Sequence, residues 1–153
     1  MAQINKPNLH FNTVLYTGNG GTQSITGVDF RPDWTWIKER NTGVSHQIFD
    51  VIRGATKRIY PDSTSAENTN ADSLTAFDSD GFSLGNAGST NGNSDTYVSW
   101  NWKANGAGSS NSNGSITSSV SVNTTAGFSI VSYTGTGSVA TVGHGLGVVP
   151  QMY

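Results

Sequence analysis

A chain of 153 residues with a formal net charge of −2 is long enough for one domain with a true core, or for one domain and the start of another. Only 12% of its residues are charged, against roughly 25% in an ordinary soluble domain, and Ser, Thr, Asn and 19 glycines take their place. It has no basic stripe to bind nucleic acid, no cysteine for a disulfide or thiolate metal site, no secretory h-region and no run of about 18 apolar residues to span a membrane. Such a balance is common in all-β proteins of large assemblies or extracellular settings. A protein made in the cytoplasm fits it, whether it stays there or is released by lysis.

Residues 1–10 are polar and contain Pro7, and read as an arm lying on a neighbour or disordered. Phe11 to Thr17 reads as a strand. Phe11, Thr13, Leu15 and Thr17 share one face; Asn12, Val14 and Tyr16 share the other. Gly18, Gly20 and Gly21 permit a tight reversal. Thr22 to Val28 is a second, weaker strand, and Pro32 breaks the ladder at a corner. Asp33 to Glu39 alternates most clearly, with Trp34, Trp36 and Lys38 opposite Thr35, Ile37 and Glu39. Asn41 to Gly43 is a turn, His46 to Ile52 a strand, and Lys57 to Tyr60 a short one. Pro61 to Asp72 reads as a surface loop with room for a helical turn at Ser65 to Asn68.

Leu74 to Phe77 and Phe82 to Leu84 flank Asp78 to Gly81, a hairpin signal turning on Gly81. Asn86 to Asp95 loops out. Tyr97 to Trp102 is a strong strand, with Val98, Trp100 and Trp102 on one face. Residues 105–115 are Gly/Ser/Asn-rich and read as a flexible linker. This gives a unit over 11–104 and a second segment over 116–153, with strands at Ile116 to Val122 and Phe128 to Thr134. No stretch sustains a 3.6-residue apolar period. Many short strands at turn spacings of about 8–12 residues predict an all-β sandwich or barrel.

The chain also repeats itself. Phe11, Tyr16, Thr17, Gly18 and Gly20 match Phe128, Tyr133, Thr134, Gly135 and Gly137. After a slip of one residue, Gly27, Val28 and Pro32 match Gly145, Leu146 and Pro150. Residues 116–153 are therefore expected to be the beginning of a second, incomplete unit.

Taken as a set, Tyr16 to Gly20, Gly27 to Lys38, Phe49-Asp50 with Arg53-Gly54, Phe77 to Gly85, Tyr97 to Ala104 and His144 to Pro150 resemble a known repeat domain. That domain occurs in tail-fibre-like virion proteins, mainly of marine and cyanobacterial phages. The resemblance implies an antiparallel β-sandwich of the jelly-roll or concanavalin A-like kind. It also implies a virion structural protein with a role in host-surface contact, and supplies no catalytic residues.

Trp34, Trp36, Trp100 and Trp102 are the leading ligand-binding candidates, since indole faces stack on sugar rings. The competing and preferred reading puts them in the core. Burying an aromatic removes about 150–250 Å², or roughly 4–6 kcal/mol as an upper estimate, which an aliphatic-poor chain needs. Asp78, Asp80 and Asn86 around Gly81 offer oxygens to calcium, but the downstream glutamate of an EF-hand loop is missing. An Asx-stabilised turn is the preferred reading there, and no metal or other cofactor is expected. His46 and His144 make a hydrolase triad easy to draw, but no Gly-x-Ser-x-Gly elbow exists. Asp50 and Arg53 read as a brace at a strand end. Glu39, Glu67, Asp33 and Asp95 are the acids a glycan depolymerase would draw on.

The expectation is a non-enzymatic virion protein, made in the host cytoplasm and acting outside the cell, as the virion-proximal part of a tail fibre or appendage. Its partners would be other virion proteins and its own copies, as a trimer, with a host-surface glycan as a further partner. A carbohydrate-binding module and a small decoration or collar protein are the alternatives. Neither nucleic-acid binding nor membrane insertion is expected.

Overall fold

The computed structural model describes residues 4–153 and is all-β, built from antiparallel sheets in a sandwich. Residues 1–3 of the expected N-terminal arm lie outside the described residues. The rest of the arm lies on its own chain. Pro7–Leu9 form one 3-10 turn, Asn8 Nδ2 donates to Asp29 Oδ2 at 3.3 Å, and His10 O accepts the Lys103 amide.

The first sheet holds Phe11–Thr17 (β1), Trp34–Glu39 (β3), Gln47–Asp50 (β4) and Thr96–Trp102 (β9), in the order β1-β9-β3-β4. The second holds Gln23–Ile25 (β2), Leu74–Asp78 (β7) and Gly81–Leu84 (β8), in the order β2-β8-β7. Ile25, Ile37, Phe49, Leu74, Phe82, Leu84 and Tyr97 fill the space between them. Lys57–Arg58 (β5) pairs with Asn68–Thr69 (β6), so the polar loop 61–72 ends in a strand and forms no helical turn at Ser65 to Asn68.

The strand alternation is as expected, but the tryptophans are on the other side from the core. The buried face of the first sheet carries Thr35, Ile37 and Glu39 on β3 and Tyr97, Ser99 and Asn101 on β9. The register explains the choice, setting Asn12, Asn101, Thr35 and Phe49 in one row. Thr35 Oγ1 donates to Asn101 Oδ1 at 3.0 Å, and Asn101 Nδ2 to Asn12 O at 3.3 Å. Asn12 Nδ2 in turn donates to the carbonyls of Gly27 and Val28. These short side chains let the corner backbone reach the sheet and satisfy its carbonyls. Indoles on this face would hold the corner off.

Residues 86–95 are pinned rather than looped out, and include one helical turn, Gly88–Asn91 (α1). The Tyr97 hydroxyl donates to Gly88 O at 2.6 Å and accepts the Gly92 amide at 2.8 Å. The Tyr16 hydroxyl donates to Thr90 O at 2.8 Å. The buried Asn91 carboxamide accepts the Asn19 amide and donates to Asn19 Oδ1 and to the carbonyls of Gly21 and Gly85. Gly18 lies so close beneath this segment that a Cβ would meet Gly92 O at 2.1 Å. Gly81 is likewise a strand residue rather than the pivot of its hairpin. It pairs with Asp78 across Ser79 and Asp80, and a Cβ there would meet Ile25 O at 2.0 Å.

The segment read as a linker is ordered. Asp33, 3% exposed, accepts the amides of Ala104 and Gly106 at 2.8 and 3.2 Å, and Ser121 Oγ donates to Gly106 O. Ser109–Asn111 (β10) then pairs with Ser118–Asn123 (β11), which pairs with Phe128–Ser132 (β12) in a third sheet, β10-β11-β12. Composition could not reveal this, because polar side chains and backbone carry the ordering.

Tyr16 and Tyr97 stack at 5.0 Å with a 13° interplanar angle. Burial raises both phenols above their ordinary value near 10, Tyr16 well above it, and the neighbouring Tyr97 adds to the effect on Tyr16. Below pH 10 both are neutral folded and unfolded, so their full contribution is present. Above it the unfolded chain releases protons that the folded chain keeps, and stability falls. Melting temperature followed from about pH 8 to about pH 12 should therefore drop on the alkaline side, together with phenolate absorbance. Tyr16→Phe should cost about 1 kcal/mol at neutral pH, from the lost bond to Thr90, and move the alkaline decline to higher pH. An unmoved decline would mean that Tyr16 does not govern it.

Candidate functional site

The outer face of the first sheet carries the largest cluster of aromatic side chains. Pleating puts every second residue of β1, β9 and β3 on this face. The register aligns Phe11, Trp102 and Trp34 in one row, Thr13, Trp100 and Trp36 in the next, and Leu15, Val98 and Lys38 in a third. All four tryptophans are therefore brought together, each half-buried, with Phe11 and Leu15 exposed beside them. Trp34 and Trp102 meet at 4.5 Å and 81°, Trp36 and Trp100 at 5.7 Å and 64°, and Trp34 and Trp36 at 5.9 Å and 90°. This edge-to-face packing is the favoured geometry for aromatic pairs. It gives a corrugated apolar surface with one indole N–H committed, since Trp36 Nε1 donates to His46 Nδ1 at 2.8 Å. That bond puts the neutral His46 ring proton on Nε2.

The third sheet covers one end of this face. Phe128 lies over Trp102 at 6.1 Å and 25°, and meets Trp34 at 6.4 Å. The tryptophans thus form a second apolar layer, between the first and third sheets, outside the sandwich core. Trp36 and Trp100 lie beyond Phe128, beside Leu15 and Val98. Phe11 and Phe128 are members of the site that the aromatic alternation alone does not single out; their match in the internal repeat was the available signal.

The remaining candidates are dispersed. Asp80 accepts the amides of Gly27 and Asp29 at 3.1 and 2.7 Å, and Asp78 accepts the Ser83 hydroxyl at 2.7 Å. Their carboxylates brace the hairpin and corner, and no group of three or more His, Cys, Asp or Glu side chains among the described residues is arranged to hold a metal. Asn86, the third calcium candidate, is exposed. Asp50 holds Arg53 Nε at 2.6 Å and also accepts the amides of Ile52 and Arg53, so the pair closes the β4 turn as a brace. Arg53 reaches on to Glu67 at 3.1 Å.

His144 Nδ1 accepts the Leu146 amide, and His46 is taken by Trp36, so the structure does not bring the two together around a serine. Of the other acids, Asp33 serves backbone amides, Glu39 is buried and accepts the Thr42 hydroxyl, and Asp95 accepts from Asn41. An open concavity of about 690 Å³ lies among the loops around Gly114, His144 and Pro150. His144 is its one titratable side chain.

Trp102 touches Phe11, Trp34 and Phe128, so it ties β1, β3 and the third sheet together. Trp102→Ala should cost about 3 kcal/mol in urea unfolding, the lower end of the range for a packed aromatic. Trp36→Ala, farther from Phe128, should cost clearly less. Equal losses would contradict the layer assigned to Trp102.

No curated protein matches the chain, and no solved structure matches it. A family model described as "Domain of unknown function (DUF7483)" matches residues 6–153, nearly the whole of the sequence. The chain belongs to that family.

Proposed function

We propose that this chain is a non-catalytic structural module of a phage virion, the virion-proximal part of a tail fibre or appendage that assembles with its own copies and with other virion proteins. The observation that carries the reading is the internal repeat, together with its resemblance to tail-fibre-like virion proteins. The repeat extends to backbone conformation. Gly20 and Gly137 have φ of 69° and 74°, Gly27 and Gly145 of 84° and 73°, and Asp29 and Gly147 of 72° and 73°. Left-handed positions recurring at matched sites are what two copies of one unit would show. The low charge supports subunit packing, because few ionised groups would need desolvation.

Trp36 and Trp100, half-buried and beyond the cover of Phe128, favour a second reading, a saccharide-binding face used at the host surface. Sugars with apolar C–H faces can pack on indoles, and His46 Nε2 would offer a hydrogen bond to a hydroxyl.

Mass spectrometry of gradient-purified particles should find peptides of this chain in stoichiometric amount, and immunogold labelling should place them on a tail appendage. Their absence from intact particles ends the virion reading. Tryptophan fluorescence titrated with host-surface polysaccharide separates the second. A scaffold gives no change. A saccharide-binding face gives a saturable change that is lost in Trp36→Ala.

A further inference from the structure

The second copy of the repeat has the strand and turns of the first copy, but no counterpart of β9 lies beside that strand among the described residues. In the first copy, β1 pairs along its whole length with β9, from Phe11 opposite Trp102 to Thr17 opposite Thr96. The segment preceding β9 captures the turn after β1. The Gly18 amide donates to Asp95 O, the Gly20 amide to Asn91 O, and Asn91 holds Asn19 and Gly21. Tyr16 is closed in by Tyr97 and bonded to Thr90.

In the second copy, β12 is paired to β11 on one side, and no strand among the described residues lies on its other edge. Tyr133, the counterpart of Tyr16, is 57% exposed, and residues 134–141, which match that turn and the segment after it, are exposed throughout. The face that would form a second core has nonetheless been started. Val120 and Val122 lie beneath Gly145, within 3.5 Å of where its Cβ would stand, much as the Gly27 corner sits on Asn12. A groove of about 460 Å³ runs along β12. All six residues from Phe128 to Tyr133 line it, with Trp34, Arg53 and Ile59 opposite. Consecutive residues point to opposite faces of a strand, so a groove touching every one of them follows its edge.

We infer that the outer edge of β12 is a docking site for one kind of occupant, a strand of the Thr96–Trp102 type belonging to another unit of this repeat. The incoming strand adds antiparallel to β12 by main-chain hydrogen bonds. The loop before it seizes the turn at Gly135–Gly137 as Asn91 seizes that at Gly18–Gly20. Tyr133 moves from solvent into a stack on the incoming counterpart of Tyr97. Exposed edges of this kind are ready templates for pairing, and the matched side chains set which strand and which register fits. This inference concerns the repeat itself and stands whether or not the chain is a virion protein.

The test uses a synthetic peptide with the sequence of residues 88–103, added to the intact protein and followed by hydrogen-exchange mass spectrometry and calorimetry. A scrambled peptide is the control. The expected result is saturable one-to-one binding with exchange protection gained over residues 128–137. Tyr133→Ser should weaken binding at least tenfold while leaving the melting temperature unchanged, because the side chain is mostly exposed in the unbound protein. Replacing the tyrosine of the peptide that copies Tyr97 should have a similar effect, and less than additively when the two changes are combined. Absence of binding, equal binding of the scrambled peptide, or protection elsewhere, such as along β1, would overturn the proposal. So would binding indifferent to Tyr133→Ser.

Discussion

The pairing of β3 with β9 decides where everything else goes. Both strands alternate small polar residues with tryptophan, and their register sets Thr35 beside Asn101 and Trp36 beside Trp100. One face of the pair is therefore shallow and hydrogen-bonding, and the other tall and apolar. The shallow face accepts a backbone corner through Asn12, so the first and second sheets can close over Ile37, Phe49 and Tyr97. The tall face is left to bind something else, and Phe128 of the third sheet takes part of it. A one-residue slip of β9 against β3 would put indoles into the corner and asparagine outside, reversing both layers at once.

A chain with so few charges must satisfy its buried backbone by other means, and it uses single polar side chains at the junctions of elements. Asn91 serves the turn after β1, Asp80 the corner at Gly27 and Asp29, and Asp33 the entry to the third sheet. Asp50 serves the end of β4, and the Tyr97 hydroxyl both ends of α1. Each supplies hydrogen bonds to backbone groups at an element's end, where losing one partner costs more than the bond itself contributes. Such devices are directional. They fix loop conformations that apolar packing alone would leave degenerate, which suits a sequence rich in Gly, Ser and Asn.

Much of the first sheet was legible in the sequence. Period-two alternation located β1, β3 and β9 and sorted their faces correctly, because a half-buried antiparallel sheet writes that pattern directly. The pattern does not say which face is the core. Hydrophobicity put the tryptophans there, and the side that the corner takes is set only by the long-range bonds of Asn12 to Gly27 and Val28, with Asn101 bonded to Asn12 O. The order in 86–95 and 105–115 was illegible for a related reason. Residues 86–95 are held by Tyr16 and, through Asn91, by the turn at Asn19 to Gly21, and the entry to 105–115 is held by Asp33, all distant in the chain. Nothing in the segments' own composition announces it. The candidate site was half legible. The four tryptophans were named from sequence, whereas their edge-to-face arrangement, the His46 partner and the cover by Phe128 depend on tertiary placement.

The repeat ties these layers together. Phe11 and Phe128 are the same position in two copies, and both rings lie against Trp102. The strand that begins each copy thus presents the same outer face to one aromatic ladder, β1 from within the first sheet and β12 from across it. The opposite face of β12, with Val131 and Tyr133, corresponds to Val14 and Tyr16, which pack toward the core of the first unit. Units joined this way would meet through their outer faces and keep their inner faces for their own sandwiches. A ladder of tryptophans on an outer face is then a packing surface between neighbours before it is anything else. Ligand binding would have to use what that packing leaves uncovered, at Trp36, Trp100 and His46.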